Sequence, residues 1–220
     1  MTVPDIGFPL RLSLLVAVCA TALSTVFGVS VAYLLSRKPF RGREFVDALV
    51  TLPMVLPPVV TGYYLLLLIG RNGALGALTG TDPGITFTWW AAVLASFTVS
   101  VPLTIKTARA AFESVDTGVV SASYTLGRGE AETFWYVMLP LAKRGIIAGL
   151  VLSFARALGE FGATVMVAGN VPGRTNTMPL EIYNAVVFGD WRTATVLVVL
   201  FTAISLTFIV AANRLGRTVA

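Results

Sequence analysis

The sequence contains no histidine and a single cysteine, and only 12% of its residues are charged. An average soluble domain carries about 25% charged residues. Without histidine, the chain lacks the most common general base and the most common metal ligand. With Cys19 as the only cysteine, no disulfide can form within the chain. These absences disfavour a soluble enzyme, a histidine-ligated metal site and a disulfide-stabilised secreted domain.

Two further kinds of chemical motif are missing. The sequence has no Gly-x-x-x-x-Gly-Lys-[Ser/Thr] pattern, so it has no loop of the kind that cradles nucleotide phosphates. It also shows no cluster of metal-ligating residues and no pairing of a nucleophile with a base. We therefore predict that the chain is not an enzyme and holds no cofactor or metal. Energy for any active process must then come from a partner or from an ion gradient.

Apolar residues make up 56% of the chain, and the mean hydropathy is +0.82. This composition predicts an all-α integral membrane protein. Four charge-free runs are long enough for the ~20 residues that a spanning helix needs, and a fifth apolar run is interrupted only by Arg156 and Glu160. We predict one domain over residues 1–220 with about five transmembrane helices, at roughly 12–36, 48–70, 86–109, 145–169 and 193–213.

Basic residues concentrate in alternate connections between the predicted spans. The connections after spans 1 and 3 and the C-terminal end hold most of them, namely Arg37, Lys38, Arg41, Arg43, Lys106, Arg109, Arg128, Lys143, Arg144, Arg214 and Arg217. Because cytoplasmic loops carry the excess of Lys and Arg, we expect the N-terminus outside and the C-terminus in the cytoplasm. These loops also account for the net charge of +5, so we expect a lipid bilayer rather than nucleic acid around the chain.

The connection between spans 3 and 4, residues 116–140, is neither strongly apolar nor a simple polar linker. Its pattern predicts two short cytoplasmic helices hinged at a glycine. Asp116 is suited to cap the first helix, and Gly127 fits the left-handed position that ends it. The second helix is expected to run from about Glu130 to a break before Pro140.

This connection resembles the cytoplasmic EAA loop of ABC importer permeases, whose consensus is Glu-Ala-Ala, three residues, Gly, nine residues, Ile, any residue and Leu-Pro. Four residues match this pattern: Ala122, Gly127, Leu139 and Pro140. Val137 replaces the Ile, Ser121 the usual Glu and Ser123 the usual Ala. The resemblance implies that the loop docks onto an ATPase subunit through Ser121, Ala122, Ser123, Tyr124, Gly127, Phe134, Trp135, Leu139 and Pro140.

Two other stretches resemble the molybdate permeases of the ABC importers. They are Leu52–Tyr64, with Gly70-Arg71-Asn72-Gly73 after it, and Ser153–Gly162. The resemblance implies a type I transmembrane domain in the cell inner membrane. A homodimer would form the path for molybdate, with tungstate possible, together with two ATPase subunits and an external binding protein. Sulfate or another oxyanion is the alternative substrate, and a secondary carrier or channel is the alternative class of function.

Five residues are candidates for the translocation path or its gate. Pro53, Pro57 and Pro58 fall inside span 2, where each removes a backbone hydrogen bond and leaves carbonyls that must face protein or water. Arg156 and Glu160 lie four residues apart within span 4, on one helix face. Charges at this depth normally face the bundle interior or an aqueous path. The alternatives are a structural kink for the prolines and a buried ion pair that fixes packing for Arg156 and Glu160.

Span 1 carries a stripe of small residues at a spacing of four: Ala20, Ser24, Gly28 and Ala32. Small residues allow helices to approach closely. The stripe therefore predicts a packing surface, either within the subunit or against a second copy.

Overall fold

The computed structural model describes residues 7–37, 40–81 and 83–218, and only the backbone of residues 211–213 and 215–218. Lys38, which belongs to the predicted basic loop, lies outside the described residues. The described residues form helices and contain no strand, which confirms the predicted all-α class. The helices are α1 Gly7–Ser36, α2 Arg43–Val55, α3 Pro58–Ile69, α4 Ala74–Thr79, α5 Trp89–Glu113, α6 Thr117–Thr125, α7 Glu130–Leu158, α8 Gly162–Ala168, α9 Met178–Val187 and α10 Trp191–Thr218.

The membrane-spanning character of the chain is confirmed. Helices α1, α5 and α7, and α10 over Trp191–Val210, are each long and apolar enough to cross a bilayer. Helices α2 and α3 together make a fifth span if the bent pair counts as one. The structure therefore has four or five candidate spans among the described residues, in agreement with the predicted five.

Helix α5 lies at the centre of the bundle. Its small residues, such as Ala91, Ala95 and Ala108, are fully buried. Helix α1 packs on one side of it and α7 on another, so α5 contributes to the core at both ends of the bundle. Small side chains let the three helices approach closely, as is common in membrane proteins.

The small-residue stripe of α1 packs within the subunit. Ala20, Ser24 and Ala32 have no exposed surface, and Gly28 is also buried. A Cβ on Gly28 would lie 3.0 Å from Cγ2 of Thr104 in α5. Because α5 and α7 already cover the stripe, it is not a surface for a second copy.

Span 2 differs from its prediction. The sequence predicts one kinked helix over 48–70, whereas the structure ends α2 at Val55 and starts α3 at Pro58, with a bend of 119° between the two helical segments. A residue that precedes proline avoids the helical conformation. Leu56 and Pro57, which both precede a proline, are accordingly extended, with ψ of 143° and 136°. Pro53 remains inside α2.

Span 4 also differs, at both of its ends. The second helix of the 116–140 connection does not stop before Pro140 but continues as α7 to Leu158. A π-helical segment, Phe134–Met138, directly precedes Leu139 and Pro140. Its wider turn interrupts the regular hydrogen-bond ladder, so a proline can follow without ending the helix. At the far end, the predicted span 145–169 is divided by a break at 159–161, after which α8 begins at Gly162.

Candidate functional site

The candidate site has two parts, at opposite ends of α7. We call the first the elbow; it comprises residues 116–140, which are α6, the turn at Gly127 and the first turns of α7. The predicted cap is confirmed, because Oδ1 of Asp116 accepts hydrogen bonds from the backbone N–H groups of Gly118, at 2.6 Å, and Val119, at 3.3 Å. These bonds satisfy donors that the first turn of α6 leaves free.

The turn of the elbow is a Schellman motif. Gly127 has φ of +83°, as predicted, and its N–H donates to the carbonyl oxygen of Tyr124 at 3.0 Å. The N–H of Arg128 donates to the carbonyl oxygen of Ser123 at 3.2 Å. This is the hydrogen-bond pattern that ends a helix with a left-handed residue. The reversal between α6 and α7 therefore depends on a glycine at position 127.

A buried pair of hydroxyl groups joins the two arms of the elbow. Oγ of Ser123 on α6 and Oγ1 of Thr133 on α7 are 2.9 Å apart, and both residues are buried. Ser123 was predicted on the docking surface, but it lies inside the elbow. A buried polar group needs a hydrogen-bond partner, and here the two hydroxyl groups bond to each other. The pair therefore helps to fix the angle between the arms.

An aromatic cluster anchors the elbow to the bundle. The ring of Phe134 lies 4.5 Å from that of Tyr33 in α1 and 6.1 Å from that of Phe112 in α5, measured between centroids. Tyr33 and Phe112 make an edge-to-face contact at 5.6 Å. Phe134 is thus half-buried against two spans, although the sequence pattern placed it with the docking residues.

Other predicted docking residues are accessible. Ser121, Ala122, Tyr124, Trp135 and Pro140 are exposed, and Leu139 is half-buried. The large apolar side chains among the exposed residues form what we call the elbow surface: Val119, Tyr124, Leu126, Trp135 and Tyr136. Leu126 is 82% exposed and Trp135 is 62% exposed. Val119 and Leu126 were predicted only as the ends of a docking helix and not as individual docking residues; Leu126 directly follows α6.

Arg37 binds the elbow from the end of α1. Its Nη1 donates to the hydroxyl of Tyr124 at 3.0 Å, and its Nη2 donates to Oε1 of Glu130 at 2.8 Å. The guanidinium also lies over the ring of Tyr33. The hydrogen bond to Tyr124 is the main cause that raises the pKa of Arg37, so the group stays charged. From the sequence, Arg37 was only one positive charge among several in a basic loop.

At the same end of the bundle, ion pairs hold α2 to α5. Asp47 accepts from Nζ of Lys106 at 2.8 Å and from Nη1 of Arg109 at 2.8 Å. Glu113 accepts from Arg43 at 2.7 Å and from Arg109 at 2.9 Å. No residue of α2 is fully buried, although Val46 and Val50 pack against the core, so the ion pairs add to a limited apolar contact. Lys106 and Arg109 lie 59 and 62 residues from Asp47 in the sequence, so residue spacing could not predict these ion pairs.

The second part of the site is the break between α7 and α8. Nη1 of Arg156 donates to Oε2 of Glu160 at 2.7 Å. Oε1 of Glu160 accepts the backbone N–H of Ala163 at 2.7 Å, so the carboxylate also caps the start of α8. The Glu160 side chain is 1% exposed and that of Arg156 is 34% exposed. The predicted pair is therefore asymmetric, with a buried anion and a cation that reaches the subunit surface.

The two helix breaks lie against each other. A Cβ on Gly162, two residues after Glu160, would lie 3.0 Å from Cβ of Pro58. A Cβ on Gly62 would lie 2.9 Å from Cα of Ala163. The glycines therefore permit α3 and α8 to pack closely at the point where each helix starts. The structure brings Pro58 next to the Arg156–Glu160 turn, while Pro57 is exposed and Pro53 lies half-buried in α2.

Comparison with known proteins identifies close relatives. Over 177 residues the chain is 45% identical to the molybdenum transport system permease protein ModB of Escherichia coli strain K12, which covers 80% of this chain and 77% of that protein. It is 40% identical to the sulfate transport system permease protein CysW of Synechococcus elongatus, over 80% of this chain and 62% of that protein.

The fold also has solved counterparts. The structure superimposes on a chain of the inward-facing MetNI methionine ABC transporter with a TM-score of 0.77 and 18% sequence identity, covering 100% of both chains. The family model of the binding-protein-dependent transport system inner membrane component matches residues 24–219. This match covers nearly the whole described bundle, including the elbow and both helix breaks. The chain therefore belongs to the family of binding-protein-dependent transport system inner membrane components, and it is a multi-pass inner membrane protein.

Proposed function

We propose that this chain is the permease subunit of an ABC importer for molybdate, and that tungstate follows the same path. The observation that carries this proposal is the 45% identity, over 80% of the chain, to a permease named for molybdenum transport. Molybdate and tungstate are tetrahedral dianions of similar size, so a path for one accommodates the other. ATP hydrolysis takes place on a partner subunit, since the sequence contains no phosphate-cradling loop.

The elbow is the docking site for the ATPase subunit in this proposal. Its surface offers large apolar and aromatic side chains of the kind that anchor protein interfaces, among them Leu126, Trp135 and Tyr136. The turn at Gly127 and the Ser123–Thr133 pair keep the elbow rigid, which lowers the entropy cost of docking. The distribution of Lys and Arg supports a cytoplasmic elbow, on the side where an ATPase subunit binds in this proposal.

A second copy of the chain completes the path. The exposed part of Arg156 cannot face lipid without a large cost, so this face of α7 borders protein or water. Two such faces in a homodimer enclose an aqueous path, with Arg156 positioned to attract an oxyanion. The α2–α3 pair, which is broken at its prolines, lies beside this face of α7. The backbone carbonyl groups that its prolines leave unpaired must also face protein or water. An external binding protein delivers the anion on the side opposite the elbow.

Sulfate is the second candidate substrate. The 40% identity to a sulfate permease favours it, because sulfate is also a tetrahedral dianion. The assignment is tested with the permease, its ATPase and its binding protein reconstituted in vesicles. We expect ATP-driven uptake of molybdate and tungstate, with sulfate taken up more slowly. Uptake of sulfate alone would contradict the molybdate assignment, and uptake without any ATPase subunit would contradict the ABC mechanism.

Substitution of the hinge glycine should uncouple transport. In Gly127→Val, a β-branched residue must adopt the left-handed conformation, at a cost of about 1–2 kcal/mol or more. A cost of this size shifts the docked population by roughly 5–30-fold, so ATP-driven uptake should fall by a similar factor. Gly129→Val is the matched control, because Gly129 is extended, with φ of −74°, and has open space at its Cβ. Equal uptake by the two variants would show that the turn does not control coupling.

The Arg156–Glu160 pair can be tested for its two possible roles. Arg156→Gln leaves the buried Glu160 carboxylate without its cation, so the free energy of unfolding should fall by about 3–5 kcal/mol. The yield of folded permease should therefore decrease. The double variant Arg156→Gln/Glu160→Gln removes the unpaired charge and keeps an acceptor for Ala163, so it should fold.

If Arg156 attracts the anion, this double variant hydrolyses ATP but takes up oxyanion at least about tenfold more slowly than the wild type, which corresponds to about 1.4 kcal/mol. Arg174→Gln, at an exposed arginine after α8, is the control for a general loss of positive charge. Wild-type uptake by the folded double variant would mean that the pair only fixes helix packing.

A further inference from the structure

We propose that Arg37 is a positioning residue that fixes the elbow to the end of α1, so that movement of the elbow is transmitted to the first span. The inference rests on the proposed function, because it assigns Arg37 a part in coupling ATP hydrolysis to transport. Arg37 is the first residue after α1, where the chain leaves the helix in an extended conformation with ψ of −166°. Arg37 is therefore expected to move together with the end of α1.

The guanidinium contacts both arms of the elbow at once. Tyr124 belongs to α6 and Glu130 is the first residue of α7, and each accepts a hydrogen bond from a different terminal nitrogen of Arg37. Arginine can make this two-point contact because its nitrogens form a planar fork. The ammonium group of a lysine is a single point charge and does not provide the same fork. One side chain at the end of α1 therefore contacts two consecutive helices at residues 87 and 93 positions further along the chain.

The contact contributes little to the free energy of unfolding of the subunit. The side chain of Glu130 is 65% exposed and that of Arg37 is 29% exposed, and ion pairs as exposed as this contribute little to folding. The angle between α6 and α7 is already set by the turn at Gly127 and by the Ser123–Thr133 pair. What Arg37 adds is the attachment of this elbow to α1.

A second contact shows that the attachment is specific to α1. Tyr33, one turn before Arg37, packs its ring beneath the guanidinium and against Phe134 at the start of the π-helical segment. The cation lies 5.3 Å from the ring centroid, a distance at which the ring face attracts a cation. The ring of Tyr33 and the fork of Arg37 therefore hold neighbouring points of the elbow from the same helix end.

The test uses the complete transporter, with its ATPase and binding protein, in vesicles. The measured quantity is the number of oxyanions taken up per ATP hydrolysed, together with the thermal unfolding temperature of the permease. The variants are Arg37→Gln, Arg37→Lys, Glu130→Gln and the exchange Arg37→Glu/Glu130→Arg. Arg41→Gln is the matched control, because Arg41 is an exposed arginine in the same loop and forms no ion pair with another described residue.

We expect Arg37→Gln to lower the transport-to-hydrolysis ratio about fivefold or more while the unfolding temperature stays at the wild-type value. Arg37→Lys should retain only part of the ratio, and Glu130→Gln should lower it as well. The charge exchange re-forms the ion pair to α7 but not the contact of a cation with Tyr33, so it should also restore only part of the ratio. Arg41→Gln should behave as wild type. A wild-type ratio in Arg37→Gln would overturn the proposal, and so would a loss of folding in Arg37→Gln that the charge exchange does not repair.

Failure of the proposed function gives a different result. In that case the wild-type transporter itself shows no ATP-driven oxyanion uptake. If the wild type takes up the oxyanion and the Arg37 variants have the same transport-to-hydrolysis ratio, the proposed function stands and the role of Arg37 is rejected.

Discussion

The structure depends on one constraint: in a bilayer, every backbone N–H and C=O group must find its partner within the protein. Continuous helices meet this constraint by themselves, and the helix breaks at Leu56–Pro57 and at residues 159–161 do not. At the breaks, the N–H groups of Leu56, Gly159 and Glu160 donate to carbonyl groups of the preceding helix turn. The two breaks also pack together, with Gly62 and Gly162 allowing the close approach. Glu160 satisfies the N–H of Ala163, and this buried carboxylate in turn requires Arg156. A charged pair therefore lies beside the two helix breaks.

Helix α7 links this break to the elbow. It is one continuous helix over the 29 residues from Glu130 to Leu158, with the π-helical segment near its start, and its length is about 43 Å at 1.5 Å per residue. One end carries part of the elbow surface, and the other end carries Arg156. The elbow is held at three points: the turn at Gly127 and the Ser123–Thr133 pair fix its shape, the aromatic cluster around Phe134 fixes it to α1 and α5, and Arg37 binds both of its arms. A rigid connection of this kind is what the transmission of movement from an ATPase to a gate requires.

The sequence predicted the local features well, because their causes are local. Charge-free runs set the spans, Asp116 set the start of α6, and Gly127 set its end. The small-residue stripe of α1 was predicted to be a packing surface, but the sequence did not show which helices cover it. Pro140 misled the prediction, since its effect on the helix is offset by the π-helical segment before it, which has no sequence signal of its own. The contacts of Arg37 and Asp47 join residues far apart in the chain, so only the folded structure reveals them. Ser123 was chosen by its place in a motif and Phe134 as one of a group of aromatic residues. The burial of both depends on tertiary packing.

The most direct test of the central claim, that the elbow docks the ATPase subunit, is a crosslinking measurement on the assembled transporter. A photoreactive group is attached to Leu126→Cys in a chain in which Cys19 is replaced by serine, and the control carries the group on Phe188→Cys, which is 83% exposed and predicted on the outer side. We expect the ATPase subunit to be crosslinked from position 126 and not from position 188. An ATPase subunit that copurifies but is crosslinked from position 188, or from neither position, would contradict the assignment of the elbow as the docking site.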